Sequence, residues 1–429
     1  MLGSNESFEQ NSEEKSELEL SIHEDFEKGY PYRYLALEGG GAKGFLYIGV
    51  ARMLEKIGQL QDFEAVAGSS VGAIAALLFA TGWNSDKIGE RLISLDLSKA
   101  IRGGIFSRLM APIHVEKYYG LHKAKGLTRW LEDIVEEVTG NRLATYEDWH
   151  TLKEANLDRG LKDIFTEACN YNTKLNEIFS YLSEHKDVPI AHGIRASAGF
   201  PFVFTPVEIK GSLYGDGGIQ KNCPSTAFDE GSVANKKTLS IRLDDIEEIN
   251  YFEKGITPKA KKLNRPAKVF IAEIGALHKG QNFWFNESEH KNNTIFGDTL
   301  DAGTLDFKMS AEEIEGLIAS GEYAVIHYFI RNHSRYIEEL IEKKFLDEKT
   351  VMRVQDGPVA FSEFVSGMKL KQMKKLENSI NIEQPKPELK WLYQQWRALP
   401  AFEHYGEKQE QALDESHVVH PKKSKCAIM

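Results

Sequence analysis

Gly68-Ser69-Ser70-Val71-Gly72 joins one apolar run, Phe63-Glu64-Ala65-Val66-Ala67, to a second that extends from Ala73 to Ala80. The first run reads as a strand and the second as a helix. A serine at a sharp strand-to-helix turn presents its hydroxyl to whatever lies above the sheet. Glycines on either side let the neighbouring segments close up around a strained backbone. The amides that open the following helix face any negative charge that develops there. This is the setting of a nucleophilic serine, although G-x-S-x-G also occurs in ordinary turns. The flanking sequence has to decide.

Upstream, Arg33-Tyr34-Leu35-Ala36-Leu37 reads as a strand, followed by Glu38-Gly39-Gly40-Gly41-Ala42-Lys43-Gly44. Phe45 to Ile57 then repeats Leu46, Gly49, Val50, Met53 and Ile57 at helical spacing. Consecutive glycines leave bare backbone N–H groups that form a nest for an anion. The anion is either the oxyanion of a tetrahedral intermediate or a nucleotide phosphate, since Gly39, Gly41 and Gly44 also spell G-x-G-x-x-G with Glu64 as an acidic partner. A Walker loop is excluded, because no Gly-Lys-Ser/Thr follows. The dinucleotide reading leaves the serine elbow without a use.

Tyr214-Gly215-Asp216-Gly217-Gly218, followed by Asn222-Cys223-Pro224, supplies a carboxylate that another side chain can approach closely. Alone, Asp-Gly-Gly is usually a turn. After a glycine loop and a serine elbow it reads as a general base or an orienting carboxylate for Ser70.

The ordered set Gly39 to Gly44, Gly68 to Gly72 and Asp216-Gly217-Gly218 resembles the patatin-like phospholipase family. Arg195-Ala196-Ser197-Ala198-Gly199-Phe200-Pro201, running on to Phe204-Thr205-Pro206-Val207, resembles the passage that family carries before its aspartate. The match covers residues 32 to 230 and continues more weakly through Asp306-Phe307 and Gly321 to about residue 333. The resemblance implies an α/β three-layer fold with a mostly parallel central sheet and helices on both faces. It also implies hydrolysis of glycerolipid acyl esters by a serine–aspartate dyad, with no metal and no cofactor. Ser70 would be the nucleophile, Asp216 the base, and Gly39, Gly40 and Gly41 the oxyanion hole. Gly44, Gly68, Gly72, Gly217 and Gly218 are the motif glycines, and Gly218 stands where many relatives carry alanine. A triad with His327 or His333, which follow Asp216 in α/β-hydrolase order, is the competing arrangement. It would leave Asp-Gly-Gly idle.

The pattern of elements supports an α/β layer independently. Asp163 to Cys169, Leu239 to Leu243 and Lys268 to Ile271 read as strands, and Leu127 to Val138 as a helix. Strands alternating with helices imply a mostly parallel sheet covered on both faces. The expected organisation is a leader over 1–31, a hydrolase domain over 32–335 with its motif core at 35–230, a helical region over 336–405, and a flexible tail over 406–429.

With 429 residues, 41% of them hydrophobic, the chain holds a large domain and a smaller one. Three cysteines, Cys169, Cys223 and Cys426, give no disulfide framework. No segment reads as a signal peptide, and the longest apolar window, Val66 to Ala80, is too short to span a bilayer. A cytoplasmic enzyme is expected. The net charge of −11 argues against a general nucleic-acid role. The leader is acidic (Glu13, Glu14, Glu17 and Glu19 among others), and residues 251–268 are basic, read as a solvated loop or an anionic-lipid contact. Ile101 to Gly126 reads equally as a lid over an acyl pocket or as packing material.

Beyond residue 335, Tyr336, Leu340 and Phe345 share a helical face, and Phe361 to Leu376 is amphipathic. That region suits an activator, a protein partner, a membrane surface, or a cap on the hydrolase domain. Cys426-Ala427-Ile428-Met429 fits a prenylation box behind Lys422, Lys423 and Lys425, so a prenyltransferase and an anionic membrane are expected partners. Patatin-like chains also occur among proteins that intracellular bacteria inject into host cells, which would set this one on host membranes. The competing functional class is a membrane-recruited binding protein that uses the fold as a scaffold and its helical C-terminal region for a partner.

Overall fold

The computed structural model describes residues 30–95, 120–257, 289–300 and 302–332, with isolated positions between 260 and 281. Residues 1–29, the segment 96–119, His333, the helical region 336–405 and the tail with Cys426 lie outside the described residues, and of the strand expected at Lys268 to Ile271 only Val269 is described, where it is helical rather than extended. The described chain forms two compact units. Residues 30–44, 54–95, 120–243 and 289–296 make the first, and residues 45–53, 244–257 and 297–332 the second.

In chain order the elements are β1 (Tyr34–Leu37), α1 (Leu46–Lys56), β2 (Ala65–Ser69), α2 (Val71–Ala80), α3 (Ser85–Ser94), β3 (Gly120–His122), α4 (Lys125–Thr139) and α5 (Tyr146–Ala155). They continue with β4 (Asp163–Asn170), β5 (Leu175–Phe179), α6 (Ile190–Ser197), β6 (Phe202–Phe204), β7 (Val207–Ile209), β8 (Ser212–Asp216), β9 (Thr238–Asp244), α7 (Ile246–Lys254), β10 (Thr294–Asp298) and α8 (Ala311–Asn332).

The main sheet has eight strands in the order β10-β9-β1-β2-β4-β8-β7, with β5 also paired to β4. β9, β1, β2 and β4 run parallel, joined by helical crossovers. The pairs β4–β5, β4–β8 and β7–β8 are antiparallel, so the sheet is mixed rather than mostly parallel. The cause is local. Two of these connections are tight turns, and a tight turn cannot make the long crossover that parallel pairing needs. Between β7 and β8, Lys210 (φ 50°) and Gly211 (φ 79°) both take the left-handed conformation of a two-residue hairpin. Between β4 and β5, Asn170 accepts the Asn172 and Thr173 amides on its side-chain oxygen, and Lys174 turns at φ 62°.

Helix ends follow their caps. Asn84 caps α3 by accepting the Lys87 amide at 3.0 Å, Thr145 and Asp148 form a capping box on α5, and α4 stops at Gly140 with φ 74°. Helix α2 is apolar all round and buried along its whole length against β1, β2 and β4, as a core helix must be. Register sets Tyr34, Ala65, Ala67 and Phe165 on one face of the sheet and Leu35, Leu37, Val66 and Ile164 on the other. On the first face Phe228 stacks on Tyr34 at 4.7 Å and packs edge-on to Phe165 at 4.9 Å. These positions are therefore covered by the Phe228 ring of a 3-10 turn, Ser225–Phe228. In the second unit the buried Glu322 of α8 pairs with Arg52 at 3.5 Å.

Candidate active site

The serine elbow forms where the sequence predicts it. Ser70 lies between β2 and α2 with φ 53° and ψ −124°, a conformation that costs a β-substituted residue roughly 1–3 kcal/mol. A side chain at Gly68 would collide with the Gly72 carbonyl, and one at Gly72 with the Leu37 carbonyl, so only bare backbone lets the elbow close against β1. The Ser70 amide donates to the hydroxyl of Ser197, the last residue of α6, at 2.9 Å. Ser197 is buried and compensates part of the strain by giving that N–H a partner. Its role was not legible in the sequence, where it is one small polar residue at the end of an apolar helix.

Asp216 ends β8, opposite Ala168 of β4. The Ser70 hydroxyl donates to its Oδ2 at 2.9 Å, and the Gly218 amide donates to Oδ1 at 2.8 Å. With one oxygen committed to the backbone, the other is aimed at the serine. Burial pushes the Asp216 carboxyl up to about 6, against the hydrogen bonds from Gly218 and Ser70 that favour its charged form. A carboxylate in that range is a better proton acceptor than a solvated one, yet is still ionised at neutral pH. Gly217 lies flat against the Glu167 carbonyl, where a side chain would not fit. Lys221, further along the same turn, reaches the buried Glu167 carboxylate at 3.6 Å.

The glycine loop follows β1 and winds into a 3-10 turn, Gly41–Phe45. A Cβ on Gly39 would stand 2.9 Å from the Cβ of Ser70, so the loop lies directly against the elbow. Gly44 abuts the side chain of Val71 at the start of α2. Of the three glycines expected to supply oxyanion donors, Gly39 does not qualify: its N–H is donated to the Asn222 carbonyl at 3.0 Å. The amides of Gly40 and Gly41, the latter at φ 58°, open a helical turn and therefore have no partner within it.

The dinucleotide reading loses its geometry. Glu64 precedes β2, whereas the glycine loop follows the parallel strand β1, so the acid and the loop stand at opposite ends of the sheet. A dinucleotide ribose at the loop is out of its reach, and Glu64 instead pairs with Arg33 at 4.0 Å. His327 is buried on α8 with its ring stacked on Tyr323. The hydrogen bond of the Ser70 hydroxyl goes to a carboxylate rather than an imidazole.

A sequence model described as patatin-like phospholipase matches residues 35–229. Uncharacterized protein R571 of Acanthamoeba polyphaga mimivirus is 25% identical over 313 residues, 70% of this chain and 95% of that protein. A cUMP-AMP-activated phospholipase of Escherichia coli is 30% identical over 263 residues, 56% of this chain and 70% of that protein. Among solved structures, VipD from Legionella pneumophila aligns with a TM-score of 0.46 and 16% identity, over 90% of this chain and 87% of that one. The matched segment runs from the first strand past the Asp-Gly-Gly turn and so spans every motif glycine, Ser70 and Asp216. The chain belongs to the patatin-like phospholipase family.

Proposed function

We propose that this protein is a lipid acyl hydrolase of phospholipase A type, acting on membrane glycerophospholipids through Ser70 and Asp216. One observation carries the reading: the 2.9 Å contact between the Ser70 hydroxyl and a buried carboxylate held near pKa 6. In the proposed first step Asp216 takes the hydroxyl proton as Ser70 Oγ attacks the ester carbonyl. The Gly40 and Gly41 amides receive the oxyanion, and collapse expels the lysolipid, protonated by the Asp216 carboxyl. In the second step the same carboxylate deprotonates water, which attacks the acyl-enzyme and releases the fatty acid. The test is fatty-acid release from phosphatidylcholine vesicles by wild type and Ser70→Ala. Release that is equal in the two refutes the proposal.

The pH dependence follows from the position of Asp216. Only its ionised form accepts the proton, so kcat/KM falls about tenfold per unit below a midpoint near pH 6, as a protonated base requires. Initial rates on a soluble acyl ester between pH 4 and 8 measure it. A midpoint near 4 would mean that the carboxyl is solvated in the working enzyme.

Delivery to the membrane through a prenyl group on Cys426 is part of the proposal, supported by the Cys426-Ala427-Ile428-Met429 pattern and the lysines before it. Cys426→Ser shifts a tagged protein from membranes to cytosol in eukaryotic cells on this reading. Unchanged membrane association removes the anchor.

A further inference from the structure

Asn222 closes the turn that begins at Asp216, and it holds the glycine loop by both polar groups of one residue. Its backbone oxygen accepts the Gly39 N–H at 3.0 Å, and its Nδ2 donates to the Gly39 oxygen at 3.1 Å. The same Nδ2 donates to Glu38 Oε1 at 3.0 Å, while Glu38 Oε2 accepts the Leu243 amide of β9 at 2.6 Å. Glu38 is buried. Two acceptors, a carboxylate and a carbonyl, face the side-chain amide, so the nitrogen must stand on that side and Oδ1 on the other. Oδ1 then occupies the space beside Gly39, 2.5 Å from where a Cβ would be, and that Cβ position is 2.9 Å from the Cβ of Ser70.

The Gly39 carbonyl and the Gly40 N–H belong to one planar trans peptide and point in opposite directions. A hydrogen bond that fixes the first therefore aims the second. The turn after Asp216 is itself held by Gln281, whose Nε2 donates to the Gly218 and Ile219 oxygens at 3.0 and 2.8 Å and whose Oε1 accepts the Asn222 amide at 2.8 Å. Base turn and glycine loop thus meet at Asn222.

We propose that Asn222 is a positioning residue: by gripping the Gly39 peptide it orients the Gly40 amide toward the oxygen that becomes anionic above Ser70. The inference rests on the hydrolase reading above. It acts on transition-state charge and not on ground-state binding or on the proton acceptor, so it makes a prediction that a general loss of packing does not.

The experiment compares wild type, Ser70→Ala, Asn222→Asp, Asn222→Ala and Glu38→Gln on p-nitrophenyl butyrate across pH 4–8, with folding checked by thermal unfolding. Asn222→Asp keeps the shape and loses both donations. Its kcat falls roughly 10²-fold, the size of losing one oxyanion donor. KM stays within about threefold, since uniform binding is untouched. In Asn222→Ala, which adds no charge, the acid limb keeps its midpoint near pH 6. Glu38→Gln puts a second amide against Asn222 and lowers kcat in the same way but less. Near-wild-type kcat in Asn222→Asp, a loss carried by KM, or a shifted acid limb in Asn222→Ala overturns the inference while Ser70→Ala stays inactive. If the Asn222 variants do not fold, the kcat of Glu38→Gln decides. Equal rates for wild type and Ser70→Ala overturn the hydrolase reading, and this inference with it.

Discussion

Ser70→Ala is expected to lower kcat on any acyl ester by about 10⁴-fold or more, because no acyl-enzyme can form without the hydroxyl. The fold should tolerate the change. Ser70 sits at φ 53° because the Gly68 and Gly72 backbones and the Ser197 hydroxyl hold it there, and alanine keeps the N–H that Ser197 accepts. The strain remains, since a Cβ is still present. Thermal unfolding should therefore change little while activity disappears. The residual rate measures what the Gly40 and Gly41 amides and substrate binding supply alone. A fluorophosphonate probe should label wild type and leave the variant unlabelled. Covalent labelling of Ser70→Ala would point to another nucleophile.

Asp216→Asn should move activity and stability in opposite directions. Without a proton acceptor, kcat falls by about 10³–10⁴, at the upper end for a general base, because the Ser70 hydroxyl donates to Asp216 itself. The stability argument has its own sign. The Asp216 carboxyl is raised from 3.8 to about 6, so the folded state favours the protonated form. Its contribution to stability is complete below about pH 4 and is lost as pH rises through 6, leaving a net penalty at neutral pH. A raised buried carboxyl that becomes an uncharged amide of the same shape relieves that penalty, and thermal unfolding at pH 7.5 should show a gain of about 1–3 kcal/mol. At pH 4 the gain should vanish. A variant that is inactive and also less stable at pH 7.5 would mean that the carboxylate is held by favourable interactions rather than by burial.

The glycines of the three motifs were readable in the chain because backbone without Cβ is required wherever two main chains touch. A Cβ at Gly68, Gly72 or Gly217 would meet a carbonyl oxygen. The parallel strands β1, β2, β4 and β9 were readable as short apolar runs separated by helical spacing. The antiparallel edge was not, because β7 and β8 are short, partly exposed strands whose direction depends on the Lys210-Gly211 turn. Gly39 illustrates the limit at the site. Its place in the loop was evident, but the donation of its N–H to Asn222 depends on a residue distant in the chain.

Local chemistry written in the order of residues determined the elbow, the glycine loop, the carboxylate and hence the family, since each motif is a constraint on its own few positions. Tertiary structure alone decided that the Gly39 N–H is taken by Asn222, how far burial raises the carboxyl, and which residues (Ser197, Glu38 and Asn222) hold the reacting groups in line. Those properties depend on what packs against a group from elsewhere in the chain, and no local pattern encodes a neighbour that only folding brings near.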